Sequence, residues 1–249
     1  MPAEFDHARS FGRVAAGYAA SRPTYPAELF GWIAANAPGR DLAVDVAAGG
    51  GQGTGGLLAH FAGVIAVDHS AELLGTISDS ANLRTVTQNA TELDVGGGAD
   101  VLTVFQALHW FAGDAFWARV QETLKPGGLF VVVGYAWFTV IPEVDTVLYE
   151  TLLPALAPYW SEKNQLLLDG NRGMTIPFTQ VDTPDFAISV NWTVEQLLGY
   201  LGTWSAVTRM VETGLENPVA AVESRLRAAW GTSESRLVTM PLSVRAFRV

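Results

Sequence analysis

Between Leu42 and Phe61 the chain passes from a short β-like run, Leu42-Ala-Val-Asp-Val-Ala, into Gly49-Gly-Gly-Gln-Gly-Thr-Gly-Gly, and then into an apolar stretch, Leu57 to Phe61, that reads as a helix packing back on the strand. Few folds accept such a passage. Glycines between a strand and a helix let a ligand approach the backbone closely and set its polar end near the helix N-terminus. A second apolar run, Val64-Ile-Ala-Val-Asp68, ends in a carboxylate 19 residues after Gly49. An acid at that place can accept hydrogen bonds from both ribose hydroxyls of a nucleoside ligand.

The surrounding pattern repeats this alternation. Ser70 is positioned to cap a helix with Glu72 in its first turn. Leu83 to Thr87 and Asp100 to Phe105 read as a third and fourth strand, Phe116 to Leu124 as a helix, Lys125-Pro-Gly-Gly as a turn and Leu129 to Gly134 as a fifth strand. Continuous apolar strands alternating with helices indicate a buried parallel sheet. Upstream, Met1 to Asn36 reads as helical, punctuated by Pro23 and Pro26. Downstream, Glu143 to Leu156, Val194 to Val207 and Asn217 to Trp230 read as helices, Phe186 to Trp192 as β-like, and Val238 to Val249 as an edge hairpin strand. The first half has the character of a cofactor scaffold and the second that of a cap with closing strands.

Composition narrows the function classes. With 49% hydrophobic and 16% charged residues in 249, the chain can bury a sizeable core. A formal net charge of −10 argues against nucleic-acid partners. There is no cysteine, which removes disulfides, thiolate zinc sites and thiol nucleophiles. The longest apolar stretch, Leu129 to Ile141, is interrupted at Gly134 and falls short of the roughly 20 residues a bilayer span needs. Met1 to Arg13 lacks a signal-peptide pattern. A cytoplasmic protein with no membrane partner is expected.

Two nucleoside ligands compete for the glycine loop. Gly51-Gln-Gly53-Thr-Gly-Gly56 satisfies the dinucleotide pattern G-x-G-x-x-G, but it starts late after the strand and leaves 12 residues to Asp68. In the register that follows the strand directly, the third glycine is replaced by Thr54. Asp45 inside the first strand sits badly with a pyrophosphate and suits a ligand carrying an ammonium and a sulfonium. The methyl-donor reading is therefore preferred to the nicotinamide one.

Asp45-Val-Ala-Ala-Gly-Gly-Gly-Gln, Val67-Asp-His-Ser-Ala-Glu-Leu-Leu, Gln106-Ala-Leu-His-Trp-Phe and Leu124-Lys-Pro-Gly-Gly resemble successive motifs of class I S-adenosylmethionine-dependent methyltransferases. Tyr18-Ala-Ala-Ser-Arg-Pro-Thr-Tyr-Pro and Leu198-Gly-Tyr-Leu-Gly-Thr-Trp-Ser-Ala-Val are similar to segments of the trans-aconitate methyltransferase-like group. The resemblance implies a Rossmann-like α/β fold: a mostly parallel seven-stranded sheet, helices on both faces and a helical cap. It also implies one domain over 1–249, with an N-terminal helical segment (1–40), a cofactor-binding core (41–135), a cap and substrate region (136–230) and a closing strand (231–249). S-adenosylmethionine is the implied cofactor and S-adenosylhomocysteine the product.

By the same resemblance Ala47, Gly49, Gly51 and Gln52 hold the methionine part of the cofactor, with Asp45 beside them. Asp68 holds the ribose, with its neighbour His69, otherwise a surface residue. Asn89 and Ala90 border the adenine, and Gln106 lines the methionine end. Two departures stand out: Ala47 replaces the first loop glycine, and Asn89 replaces a common acid. They leave open a cofactor held for cyclisation or rearrangement, and a non-catalytic ligand-binding module.

Methyl transfer from a sulfonium mainly requires alignment and exclusion of water. A base is needed only if the acceptor must lose a proton. His109, just past the fourth strand, is the base candidate, or else orders its loop. Trp110 is read as a pocket wall and Phe111 as core. Gln106 and Trp110 resemble residues around the acceptor acid of carboxylate-methylating relatives, which implies a small carboxylic acid as a candidate acceptor. Tyr18, Tyr25, Tyr135, Trp160 and Trp204 are further substrate-side candidates, joined by Arg22 as a partner for an acidic group; an apolar or planar acceptor would suit such aromatics. The histidines show no metal-ligand spacing. Methyl transfer to oxygen of a small molecule is the expected activity.

Overall fold

Apolar runs become central strands when both of their faces are covered, and here each face has its own partners. The computed structural model describes residues 23–249. In chain order it contains α1 (Ala27–Asn36), β1 (Leu42–Val46), α2 (Thr54–Leu58), β2 (Gly63–Asp68), α3 (Ala71–Leu74), β3 (Leu83–Thr87), β4 (Ala99–Phe105), α4 (Asp114–Thr123) and β5 (Leu124–Gly134). Then come α5 (Pro142–Val147), a π turn (Leu148–Leu152), α6 (Leu153–Leu156), α7 (Glu162–Leu168), β6 (Thr179–Val181) and β7 (Ala187–Trp192). The last described elements are α8 (Val194–Gly202), α9 (Ser205–Glu212), α10 (Pro218–Trp230), β8 (Arg236–Pro241) and β9 (Ser243–Arg248).

Seven strands form one sheet in the order β3-β2-β1-β4-β5-β9-β6. The pairings from β3 to β5 are parallel, and β9 is antiparallel to both β5 and β6. Along β5 the two-residue period sorts side chains by face. Leu129, Val131 and Val133 join Leu29, Phe30 and Ile33 of α1, whereas Phe130 and Val132 join Phe116, Trp117 and Val120 of α4. This is the Rossmann-like sheet, with helices on both faces, that the resemblance implies. No described helix is long and apolar enough to cross a membrane.

Local signals place several helix ends. The Ser70 hydroxyl accepts from the Leu73 N–H at 3.2 Å, as its position predicts. Thr193 and Gln196 form a reciprocal capping box at α8. Asn217 caps α10, whose first residue is Pro218.

Other expectations are corrected. Val238–Val249 is not one edge strand. It divides after Pro241, where β8 pairs with β7 in a separate two-stranded sheet, while β9 enters the main sheet between β5 and β6. The Val194–Val207 helix breaks at Trp204, which is extended, giving α8 and α9. Lys125–Gly128 lies within β5 as an irregularity: the register jumps from Ala99↔Leu124 to Val101↔Leu129, with Gly127 at φ 77°. Helix α2 starts at Thr54, earlier than the apolar run suggests. Short α7 and β6 carry little periodicity and go unread in the sequence.

At the N-terminal ends of β1 and β4, Asp100 is fully buried and accepts the Asp41 and Leu42 N–H groups at 2.7 and 2.9 Å. The Lys125 ammonium pairs with its other oxygen. Burial alone would raise the Asp100 pKa, but the lysine and the two N–H groups outweigh it and hold the carboxyl below its ordinary value.

Candidate active site

The turn after β1 needs backbone conformations that side chains resist. Ala47, Gly49 and Gly51 have φ of 58°, 55° and 86°. Alanine tolerates this left-handed region at a cost of about 1 kcal/mol, so Ala47 keeps the geometry a glycine would supply. The loop glycines then divide into two kinds. A Cβ on Gly49 would meet nothing within 4 Å, so its backbone faces open space. A Cβ on Gly53 would lie 2.2 Å from the Phe105 ring, and one on Gly56 2.2 Å from the Phe30 ring. Gly53 and Gly56, which complete the apparent dinucleotide pattern, therefore serve the packing of α2. Gly49 and its neighbours form the cradle.

Asp68 ends β2 beneath this cradle and is 4% exposed. The Gly49 N–H donates to its Oδ2 and the Ser70 N–H to its Oδ1, both at 2.9 Å. His69 Nδ1 lies 3.1 Å from Oδ1, with its ring half-exposed. Oδ2, with the Gly49 N–H as its partner, keeps a second lone pair for a ligand hydroxyl. Gln52 is half-buried in the same loop. Asn89 is exposed; its Oδ1 accepts from the Thr91 N–H and hydroxyl, capping a short turn that buries Ala90.

Asp45 lies deeper, at 1% exposure. Thr54 at the head of α2 and Thr103 of β4 donate their hydroxyls to its two oxygens at 2.6 and 2.9 Å. Burial raises its pKa from 3.8 to about 6, against the pull of the two hydroxyls. The folded state thus holds this proton at pH values where the unfolded chain has released it, and stability falls as pH rises from about 4 to 6. The loss amounts to about 3 kcal/mol for a shift of that size. In Asp45→Asn this component should vanish. Urea unfolding at pH 4, 5, 6 and 7 checks it: the variant should gain on wild type by about that amount across the window. A constant difference would mean that Asp45 titrates normally.

The sheet order reverses between β1 and β4, so the ends of β1 and β4 flank a crevice of the kind that holds ligands in open α/β sheets. Gln106 follows β4 at φ 58°. Its Nε2 donates to the Tyr135 carbonyl at 2.9 Å and its Oε1 accepts the Tyr135 N–H at 3.1 Å, which locks together the ends of β4 and β5. His109, 4% exposed, and Trp110 follow on a single 3₁₀ turn with ring centroids 4.6 Å apart. Gln106, His109, Trp110, Tyr135, Trp160 and Trp204 line one cleft of about 100 Å³.

The sequence-derived candidates therefore fall in two groups, the loop with Asp68 and the cleft. Tyr25 is not in the cleft lining; it packs against Phe30, Phe105 and Tyr135. Tyr18 and Arg22 lie outside the described residues. The cleft also takes in Trp137, Asn164, Tyr200, Thr203 and Ser205. Asn164 sits in a capping box with Ser161 that could have revealed α7, but asparagine at that position is a weak signal.

A family model described as a methyltransferase domain matches residues 44–132. A candidate methyltransferase of Dictyostelium discoideum is 25% identical, over 98% of this chain and 94% of its own length. The structure of a candidate type II methyltransferase from Anaeromyxobacter dehalogenans is 37% identical, with a TM-score of 0.83 over 91% of this chain and 97% of that one. A candidate methyltransferase from an antibiotic biosynthesis pathway of Anabaena variabilis shares the fold at 14% identity and a TM-score of 0.54. The glycine loop after β1, the sheet that carries it and these likenesses agree: the chain belongs to the class I S-adenosylmethionine-dependent methyltransferases.

Proposed function

We propose that the protein methylates an oxygen of a small molecule bound in the cleft, with His109 taking the proton that the oxygen gives up. The observation that carries this reading is a buried histidine lining a cleft at the ends of β4 and β5, at the same C-terminal end of the parallel strands as the glycine loop. When bound, S-adenosylmethionine supplies an already electrophilic methyl group, whose bond to sulfur breaks with its electron pair kept by sulfur as the oxygen–carbon bond forms.

The protein's own part is to hold and align. Ala47, Gly49, Gly51 and Gln52 embrace the methionine portion, and Asp45 adds negative charge one layer beneath. Asp68, flanked by His69, accepts the ribose hydroxyls, while Asn89 and Ala90 border the adenine. Gln106 acts through Tyr135, because both ends of its amide are engaged by that residue's backbone. This occupancy weighs against Gln106 gripping an acceptor carboxylate, so a hydroxyl acceptor is favoured over the carboxylic acid implied by resemblance.

Calorimetry with S-adenosylmethionine and S-adenosylhomocysteine, followed by mass spectrometry of turnover mixtures, tests the reading. Both nucleosides should bind, and product should gain one methyl per S-adenosylhomocysteine released. Turnover without either change would indicate non-methylating chemistry. Asp68→Ala should weaken cofactor binding by about 1.5–3 kcal/mol through lost charge-assisted hydrogen bonds. Unchanged affinity in that variant would remove the ribose assignment.

A further inference from the structure

The walls of the cleft carry more information than its position. Trp110 and Trp160 are half-buried, and Trp137 at 41% exposure meets solvent. Trp160 and Trp204 stand 5.8 Å apart between centroids, and Tyr200 meets Trp204 edge-on at 5.9 Å. The polar lining is of amide and hydroxyl type: Asn164, Thr203 and Ser205 beside Gln106, whose amide is engaged with Tyr135. Lys163, next to Asn164, donates its ammonium to the Trp110 carbonyl at 2.9 Å.

We infer that the acceptor is a single-ring phenol, its ring packed against the indoles of Trp110, Trp160 and Trp204 and its hydroxyl turned to His109. The inference rests on the reading of this cleft as the acceptor site. Three physical arguments support it. Aromatic walls favour an aromatic guest through edge and offset-stacked contacts that an alicyclic ring of the same size cannot make, worth on the order of 10-fold in affinity. The negative faces of indole rings disfavour an anion, and a phenol remains neutral near pH 7. The walled part of the cleft, about 100 Å³, is of the order of the roughly 150 Å³ cavity that takes up benzene, so it has room for one ring against the indoles.

The hydroxyl makes sense of the histidine. A carboxylate acceptor arrives deprotonated and gives a base nothing to do, whereas a phenol must lose its proton as the oxygen–carbon bond forms. A buried base and an aromatic wall in one cleft therefore point to the same class of molecule.

Saturating the protein with S-adenosylhomocysteine and titrating it with 4-ethylphenol, 4-ethylcyclohexanol and 4-ethylbenzoate, followed by calorimetry, tests this inference. The phenol should bind about 10-fold tighter than either analogue. Trp160→Leu should erase the preference over the cyclohexanol while leaving S-adenosylhomocysteine affinity intact, and Trp204→Phe, which keeps a ring, should retain it. Equal binding of phenol and cyclohexanol would overturn the aromatic requirement, and tighter binding of the benzoate would overturn the neutral one. Failure of the phenol to bind the loaded protein would overturn the inference outright. Failure of S-adenosylhomocysteine itself to bind would instead strike the cofactor assignment on which the inference rests.

Discussion

Replacement of His109 by alanine is expected to lower kcat on a hydroxyl acceptor by 10²- to 10⁴-fold, the span typical of a removed general base. The cofactor Kd should not move, since neither Asp68 nor any glycine-loop residue is among those lining the cleft with His109. The pH profile separates this role from a structural one. With wild-type protein the rate should fall in acid as the imidazole is protonated; with His109→Ala that limb should disappear and the residual rate should rise with hydroxide. A histidine that only orders the 3₁₀ turn would instead leave the limb in place and lower the melting temperature. Single-turnover rates between pH 5.5 and 9, with thermal melts on the same samples, distinguish the two.

A comparably large effect, on stability, is expected at the opposite end of the sheet. Lys125→Ala strands the fully buried Asp100 carboxylate with two N–H donors and no cation. Breaking a buried pair from one side typically costs 3–5 kcal/mol, and the surviving N–H bonds place this case near about 3. The sign with pH follows from the lowered pKa of Asp100. Stability from the pair is fully present above the carboxyl's unfolded pKa and is lost as pH falls through the lower folded value. The gap between wild type and variant should therefore narrow in strong acid. Urea unfolding at pH 7 and pH 3 measures both quantities, and a gap that stays constant would mean the lysine contributes through packing alone. Cofactor affinity should survive wherever the variant remains folded.

Legibility in the sequence tracked the range of the interactions involved. β1, β2 and β4 are encoded in apolar runs, the β1–β2, β2–β3 and β4–β5 pairings join strands consecutive in the chain, and Ser70 declares its cap three residues ahead of the N–H that it accepts. Asp68 stands out because an apolar run ends on it. The glycines show where this kind of reading stops. Gly49 and Gly53 belong to one cluster in the sequence, yet only the positions of Phe105 and Phe30 reveal that Gly53 and Gly56 are packing residues. Gln106 is likewise placed correctly at the end of β4, but its grip on Tyr135 bridges 29 positions that no local pattern connects. The aromatic lining is harder still. Trp137, Tyr200 and Asn164 come from three separate segments, and their convergence depends on the break between α8 and α9 and on helix α7.

The separation of β8 from β9 has a consequence in time. β5 emerges from the ribosome flanked by β4 on one side, but the strand that pairs with its other side, β9, begins at Ser243, more than a hundred residues after Gly134. At roughly 5–20 residues per second that interval is about 5 to 20 seconds. Throughout it, one of the most apolar strands of the nascent chain presents an unpaired edge, the kind of surface on which chains aggregate. Synthesis rate and chaperone supply are thus expected to influence how much protein reaches the native state.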